Sequence, residues 1–398
     1  MRGATRVQVG EISTQIRGVS YSKAEAQAVP GPGYVPILRA TNIGDDSLDF
    51  DDLVFVPEAD VNPRQMLREN DVLVAASSGS LASVGKAASM QGNFTGAFGA
   101  FCKVLRPGDE VHPRYFAHFF RTSRYRRRIA SLAAGANINN IRNEHLDDLE
   151  IPLPPLDEQR WIAQVLDAAD ALRAKRRECI DRVHDLTRAA FDSLLARGVG
   201  KSWFSGPLSL AVSQIRIGPF GSALHSEDYV AGGAPVVNPL HIRPDGIHPD
   251  PNCSVTEAKK DELGVHVLDP GDVVLGRRGE MGRCAVVGPE QIGMICGTGT
   301  MVLRPNRDVA SPTFLQALLS SSSIRARLAA QSLGVTMANL NKTTVGDLRV
   351  AIPPLRVQEQ FEETVGAATG LRSSAQAHLH HLDALFASLQ HRAFAGEL

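Results

Sequence analysis

The stretch "IPLPPLDEQ", residues 151–159, has a near echo late in the chain, "IPPLRVQEQ", residues 352–360. Proline cannot donate to a strand ladder and biases its predecessor away from helix, so each Pro-Pro pair ends whatever structure precedes it. The Glu-Gln pairs close behind, Glu158-Gln159 and Glu359-Gln360, fall where the opening turn of a helix is expected. Each copy reads as a joint between a globular domain and a helical arm. A joint written twice implies that the whole unit is written twice.

A shift of 199 tests this by placing residues 113–156 against 312–355 without a gap, with 12 of the 44 positions identical. Ordinary composition would give roughly three. Arg126 falls on Arg325, Arg128 on Arg327, Gly135 on Gly334, Asn140 on Asn339 and Asp148-Leu149 on Asp347-Leu348. Upstream, "VLRP" at 104–107 recurs letter for letter at 302–305, and "NDVLVAASSGS" from Asn70 resembles "GDVVLGRRGE" from Gly271. The chain of 398 residues is twice 199. A period this long is duplication of a domain, not a solenoid.

Within each unit, short Val/Ile/Leu-rich runs such as "YVPILRATNI", "DVLVAAS", "APVVNPLHI" and "GDVVLG" are bounded by turn residues and read as strands. A helical segment, the double proline and a long helix follow. The expected fold is α+β, with two globular domains related by tandem duplication and separated by an antiparallel coiled coil of two long helices. The expected boundaries are 1–153 and 201–352 for the globular domains, and 154–200 and 353–398 for the arms.

Residues 157–195 contain no proline or glycine. Apolar residues at Ile162, Val165, Ala169, Leu172, Cys179, Val183, Leu186, Ala190 and Leu194 are spaced mainly by alternating threes and fours, with Arg176 in the missing place. This spacing predicts a coiled-coil seam. The second arm, 358–392, offers Phe361, Val365, Ala368, Leu371, His378, Leu382, Leu385 and Leu389, with Gly366 and Gly370 inside the pattern. Neither seam is covered by its own domain's pattern. They pair with each other in an antiparallel sense, or each helix lies separately on its own domain.

Composition narrows the function classes little. The chain is 43% hydrophobic and 21% charged with a formal net charge of −1, so any contact with nucleic acid must come from local basic patches. Five cysteines without a CxxC pair predict free thiols in a reducing compartment. The N-terminus has no apolar signal core, and no stretch approaches the roughly 18 apolar residues of a membrane span. A cytoplasmic protein without membrane attachment is expected.

Catalytic patterns are absent. "SSGSLASVGKAAS", residues 77–89, places Ser80 and Ala87 where a phosphate loop needs Gly and Ser/Thr. Asn238-Pro239-Leu240 lacks the second proline and the aromatic residue of an amino-methyltransferase signature. The histidines at 378, 380 and 381 lie within a helical seam, and no metal site is expected. Polar clusters are more suggestive. "RTSRYRRR" carries Arg121, Arg124, Arg126, Arg127 and Arg128, echoed by Arg325 and Arg327, and reads either as a phosphate-contact surface or as a solvated helical face. The loops at the matching place differ between copies: Ser77, Ser78, Ser80, Ser83 and Lys86 in one, Arg277, Arg278, Glu280 and Arg283 in the other. Hydroxyl, guanidinium and carboxylate groups are those that read base edges.

Taken in order, "AGANINNIRNEHLDDLEIPLPPLDEQRWIAQVLDAAD", its echo "LGVTMANLNKTTVGDLRVAIPPLRVQEQF", the helix after each, "SGSLASVGKAA" and the terminal "QHRAFAGEL" resemble the specificity subunits of type I restriction-modification systems. The resemblance spans nearly the whole chain. It implies two target-recognition domains, each binding one half of an asymmetric bipartite DNA sequence, with the helical pair fixing the distance between halves. It further implies that two modification subunits, using S-adenosylmethionine on adenine, and ATP- and Mg-dependent restriction subunits assemble on a chain that has no catalytic residues and binds no cofactor itself. The alternative is a coiled-coil scaffold that binds proteins and not DNA.

Overall fold

A computed structural model describes residues 5–79, 83–135, 140–198, 203–220, 223–243, 245–330 and 339–398. The chain divides into two compact units, Met1–Arg177 with Gln376–Leu398, and Glu178–Ala375. The division cuts both arms near their middles, so each unit holds one globular domain and a part of each arm.

The two globular domains repeat one architecture. In the first, a four-stranded antiparallel sheet runs in the order Ser13–Arg17, Cys102–Pro107, Val72–Ala75, Ala87–Ser89. A second sheet centres on Tyr34–Leu38, flanked by antiparallel Val54–Pro57 and parallel Ala97–Phe98. Val72, Leu73, Val74 and Ala75 are all buried because both faces of their strand are covered. Leu73 faces Leu38 and Phe98 in one core, while Val72 and Val74 face Tyr115, Phe116, Ile162 and Leu166 in another. The second domain repeats the order with Val212–Ile217, Thr300–Pro305, Val273–Gly276 and Cys284–Val286, and again has a three-stranded sheet with one parallel pair.

Two repeated motifs of the sequence meet in this scaffold. Arg106 of "VLRP" donates through Nε and Nη2 to Asp71, the aspartate of "NDVLV", at 2.7 Å each. Arg304 holds Asp272 in the same bidentate way, at 2.8 and 2.9 Å. Asp71 and Asp272 are almost completely buried.

The joint is a two-stranded stem. Thr5–Gln8 pairs antiparallel with Glu150–Leu153, and Phe204–Pro207 with Arg349–Ile352, so each globular domain starts and ends at one place. The long helices begin just beyond, Leu156–Arg197 and Leu355–Ala395. Buried Gln159 donates to the Pro154 carbonyl and accepts from the His112 amide, at 2.8 Å each. Gln358 makes the same bonds to Pro353 and Ser311, also at 2.8 Å. The glutamine that locks the second joint is therefore Gln358, at the shift of 199, and not the Gln360 that completes the Glu-Gln echo. Both helices start where they do because this glutamine ties the post-proline turn to the preceding helical segment. That segment is itself two helices, Pro113–Phe119 and Ser123–Gly135 in the first copy.

The seam needs correction. Leu172, Leu186, Leu371 and Leu385, read from sequence as seam positions, are 49–62% exposed. Cys179 and His378 are exposed as well. The inward-facing series runs through Ile162, Leu166, Ala169, Arg173, Ile180, Val183 and Thr187 on the first helix. On the second it runs through Phe361, Val365, Ala368, Arg372, Ala375, Leu382, Phe386 and Leu389. The three-four spacing is right, but alternate positions slip by one residue: Arg173, Thr187 and Arg372 occupy inward places that an apolar criterion hands to Leu172, Leu186 and Leu371, while Ile180 and Phe386 take the inward places beside Cys179 and Leu385. Half-buried Val165 sits beside the inward Leu166. Within the first unit Arg173 donates to Asp383 at 2.7 Å and lies over the Phe386 ring at 4.4 Å. Within the second, the Phe191 and Phe361 rings are 5.4 Å apart. Each contact joins the early part of one helix to the late part of the other, as antiparallel pairing requires. Gly366 and Gly370 leave the second helix continuous.

Candidate nucleic-acid interface

In both copies the loop that carries the diverged polar residues is built by the same contacts. Ile141 donates its amide to the Ala76 carbonyl at 2.7 Å, and Leu340 does so to Arg277 at 3.0 Å. At its far end Arg126 donates to the Val84 carbonyl at 3.1 Å, and Arg325 to Met281 at 3.2 Å. Each carbonyl precedes a glycine of positive φ, Gly85 (75°) or Gly282 (79°). A Cβ there would lie 2.4 Å from Ile129 or 2.3 Å from Arg325 as well as strain the backbone, so only glycine fits. The helix arginine and the glycine together fix where the loop re-enters the sheet.

This geometry sorts the candidate DNA contacts. Arg277 is a correction: its side chain is buried, donating to the Leu340 carbonyl at 2.7 Å and stacking over Phe220 at 4.9 Å. It secures the loop from within. Arg126 and Arg325 are loop clamps, and Arg325 is also ion-paired with Glu280. Arg327 donates to the Arg349 carbonyl at 2.7 Å. Lys86 pairs with Asp45 at 2.9 Å and Arg283 with Glu280 at 2.7 Å. Arg124, Arg127, Arg128 and Arg278 are exposed, and Ser77 and Ser78 are half-buried, Ser77 being bridged to Asn140. Ser80 lies outside the described residues. Sequence reasoning missed the exposed Phe101, whose carbonyl accepts from the amides of Ala76 and Ser77. An apolar residue on a loop carries no signal until the structure shows it uncovered.

Behind the loop of the first unit lies a charged network that has no counterpart among the described residues of the second. Arg121 donates to Asp170 and Asp46, and Arg173 to Asp170, Asp46 and Asp383. His118 bonds Asp167 at 2.7 Å through Nε2, and Arg114 bonds the same carboxylate. Burial lowers the His118 pKa, helped by the charges of Arg121 and Arg114, and outweighs the opposing pull of Asp167. Burial works to raise the Asp167 carboxyl, yet hydrogen bonds from His118 and Arg114 hold it far below the usual carboxylate range. The unfolded chain therefore takes up the histidine proton first as pH falls through about 6.5, and stability declines from there downward. His118→Gln should flatten the fall in urea midpoint between about pH 7 and pH 5. An unchanged slope would remove His118 as its source.

The sequence profile of the type I restriction modification DNA specificity domain matches residues 5–182 and 221–364. The chain is 30% identical to the type I restriction enzyme EcoKI specificity subunit of Escherichia coli K12, over 98% of this chain and 88% of that one. It is 40% identical to the StySPI specificity subunit of Salmonella potsdam over 53% of this chain and 44% of the relative. The S subunit of a type I restriction-modification system from M. genitalium has the same fold, with a TM-score of 0.54 at 16% identity, covering 98% of this chain and 96% of that one. A chain from a structural study of type I restriction-modification complex assembly and conformational transition gives 0.56 at 19% identity, covering 100% and 99%. The chain belongs to the type I restriction-modification specificity subunit family, and its two globular domains are target-recognition domains.

Proposed function

We propose that this chain reads an asymmetric, bipartite DNA sequence with one recognition domain per half, and carries the catalytic subunits that act there. The observation that carries the reading is the loop pair. One scaffold, clamped by the same arginine and glycine, presents Ser77 and Ser78 in one copy and Arg278 in the other. Two readers of different half-sites need a common frame with different polar tips. The exposed Arg124, Arg127 and Arg128 supply phosphate contacts that set register without reading sequence. The arms hold the readers at a fixed spacing. The chain contributes no catalytic residue; S-adenosylmethionine, ATP and Mg belong to the partner subunits, and the assembly works in the cytoplasm.

Two modification subunits dock on the arms in this reading. The exposed leucines support it, since Leu172 and Leu371 are related by the shift of 199, and so are Leu186 and Leu385. An apolar face repeated by duplication suits two copies of one partner. Among the described residues no helix is long and apolar enough to cross a membrane.

Gel shifts of the chain with its modification partner test this. Sequence-selective retention with a steep fall as salt rises is expected, because each neutralised phosphate contributes a slope of about −0.9 in log K against log salt. Equal retention of randomised duplexes, or no retention, would favour a scaffold that binds only protein.

A further inference from the structure

The two units differ where arm and recognition domain meet. In the second unit this place is a cavity of ≈ 550 Å³, walled by buried Phe191 and Phe361, half-buried Val365, and Thr187, Thr369 and Arg372. The shift of 199 maps each wall residue onto the first unit. There Phe386 replaces Thr187, Asp170 replaces Thr369, Arg121 replaces Ser320 and Arg173 replaces Arg372. The matching hollow is reduced to ≈ 300 Å³. One scaffold is thus filled in one copy and open in the other.

The filled copy shows what the open one lacks. Arg173 is satisfied by the carboxylates of Asp170, Asp383 and Asp46. At the corresponding places the second unit has Thr369, His184 and Asp245. The Asp245 carboxylate is turned to His248 at 2.9 Å, and only its backbone carbonyl reaches Arg372, at 3.5 Å. Arg372 Nε is buried without a hydrogen-bond partner. An unsatisfied buried guanidinium donor costs free energy until an anion meets it. Around it, Glu280 is already paired with Arg283 and Arg325. Arg188 and Arg243 make no ion pair among the described residues, and Asp192 is the unpaired lining carboxylate, so the remaining balance is positive. The volume exceeds that of a single carboxylate many times over and falls in the range of small-molecule sites.

We propose that this cavity binds a small organic anion, a carboxylate or phosphate monoester with a flat apolar body. The anionic group pairs with Arg372, and the body rests against Phe191, Phe361 and Val365. The first unit takes no such ligand, because Phe386 and Asp46 stand in for its two halves. Calorimetric titration of the full chain with benzoate, adenosine monophosphate and inorganic phosphate tests this and separates carboxylate from phosphate chemistry. Saturable binding of benzoate or the nucleotide, tighter than that of inorganic phosphate, is expected. Arg372→Gln should weaken it at least about tenfold, the loss of one charge-assisted contact. Thr187→Phe, which writes the first unit's filling into the second, should abolish it while leaving the thermal unfolding midpoint at or above that of the unaltered chain. No saturable binding of either organic probe, or binding that survives both substitutions, overturns the proposal.

Discussion

Replacing Asp71 with alanine should destabilise the first recognition domain by about 3–5 kcal/mol, the cost of stranding one partner of a buried ion pair. Asp71 is fully buried, accepts both forks of Arg106, and takes the Arg68 amide at 2.9 Å. Removing it leaves a guanidinium that is only 18% exposed, with the Met66 carbonyl as its remaining acceptor. The same change at Asp272 should cost less. Arg304 is 35% exposed and keeps Asp269 as a second carboxylate. Trp161 lies in the first unit and Trp203 in the second, so single-tryptophan variants resolve the two domains in one urea titration. Equal losses at the two sites, or a loss for Asp71→Ala below about 1 kcal/mol, would contradict this account of the pair.

The second large effect lies in recognition. Arg277 and Arg278 are adjacent, yet their substitutions should act differently. Arg277→Ala removes a buried guanidinium that holds the loop to Leu340 and Phe220, and its first consequence is lost stability. Arg278 is exposed and makes no ion pair among the described residues, so Arg278→Ala should leave stability unchanged within about 0.5 kcal/mol. It should relax discrimination by about 1–3 kcal/mol per base pair that it reads, roughly 5- to 150-fold, in one half of the site only.

Much of the fold was legible because duplication writes every structural device twice. The Pro-Pro joint, "VLRP" and the Asp-Val pair that opens a strand each recur, and each proves to be a contact: a locked helix start, or the arginine and aspartate of one buried pair. What misled was the assumption that inward positions are apolar. Arg173 and Arg372 face inward because a long side chain can lay its stem in the seam while its head finds partners. The leucines beside them were assigned to the wrong face for that reason. The candidate interface was legible as a region but not residue by residue. An arginine that clamps a carbonyl, such as Arg126, and one that faces solvent, such as Arg127, are the same letter in a sequence. The cavity beside Arg372 was not legible at all, since it arises from what Thr187, Thr369 and Ser320 fail to fill.

Base-resolution mapping of adenine methylation tests the central claim most directly, comparing cells that carry the unaltered chain and its modification subunits with cells carrying Arg278→Ala. Two readers on one frame predict a bipartite methylated sequence in the first case, and in the second the same spacing and one unchanged half beside one relaxed half. Relaxation of both halves together, or a methylated sequence without two separated halves, would contradict it.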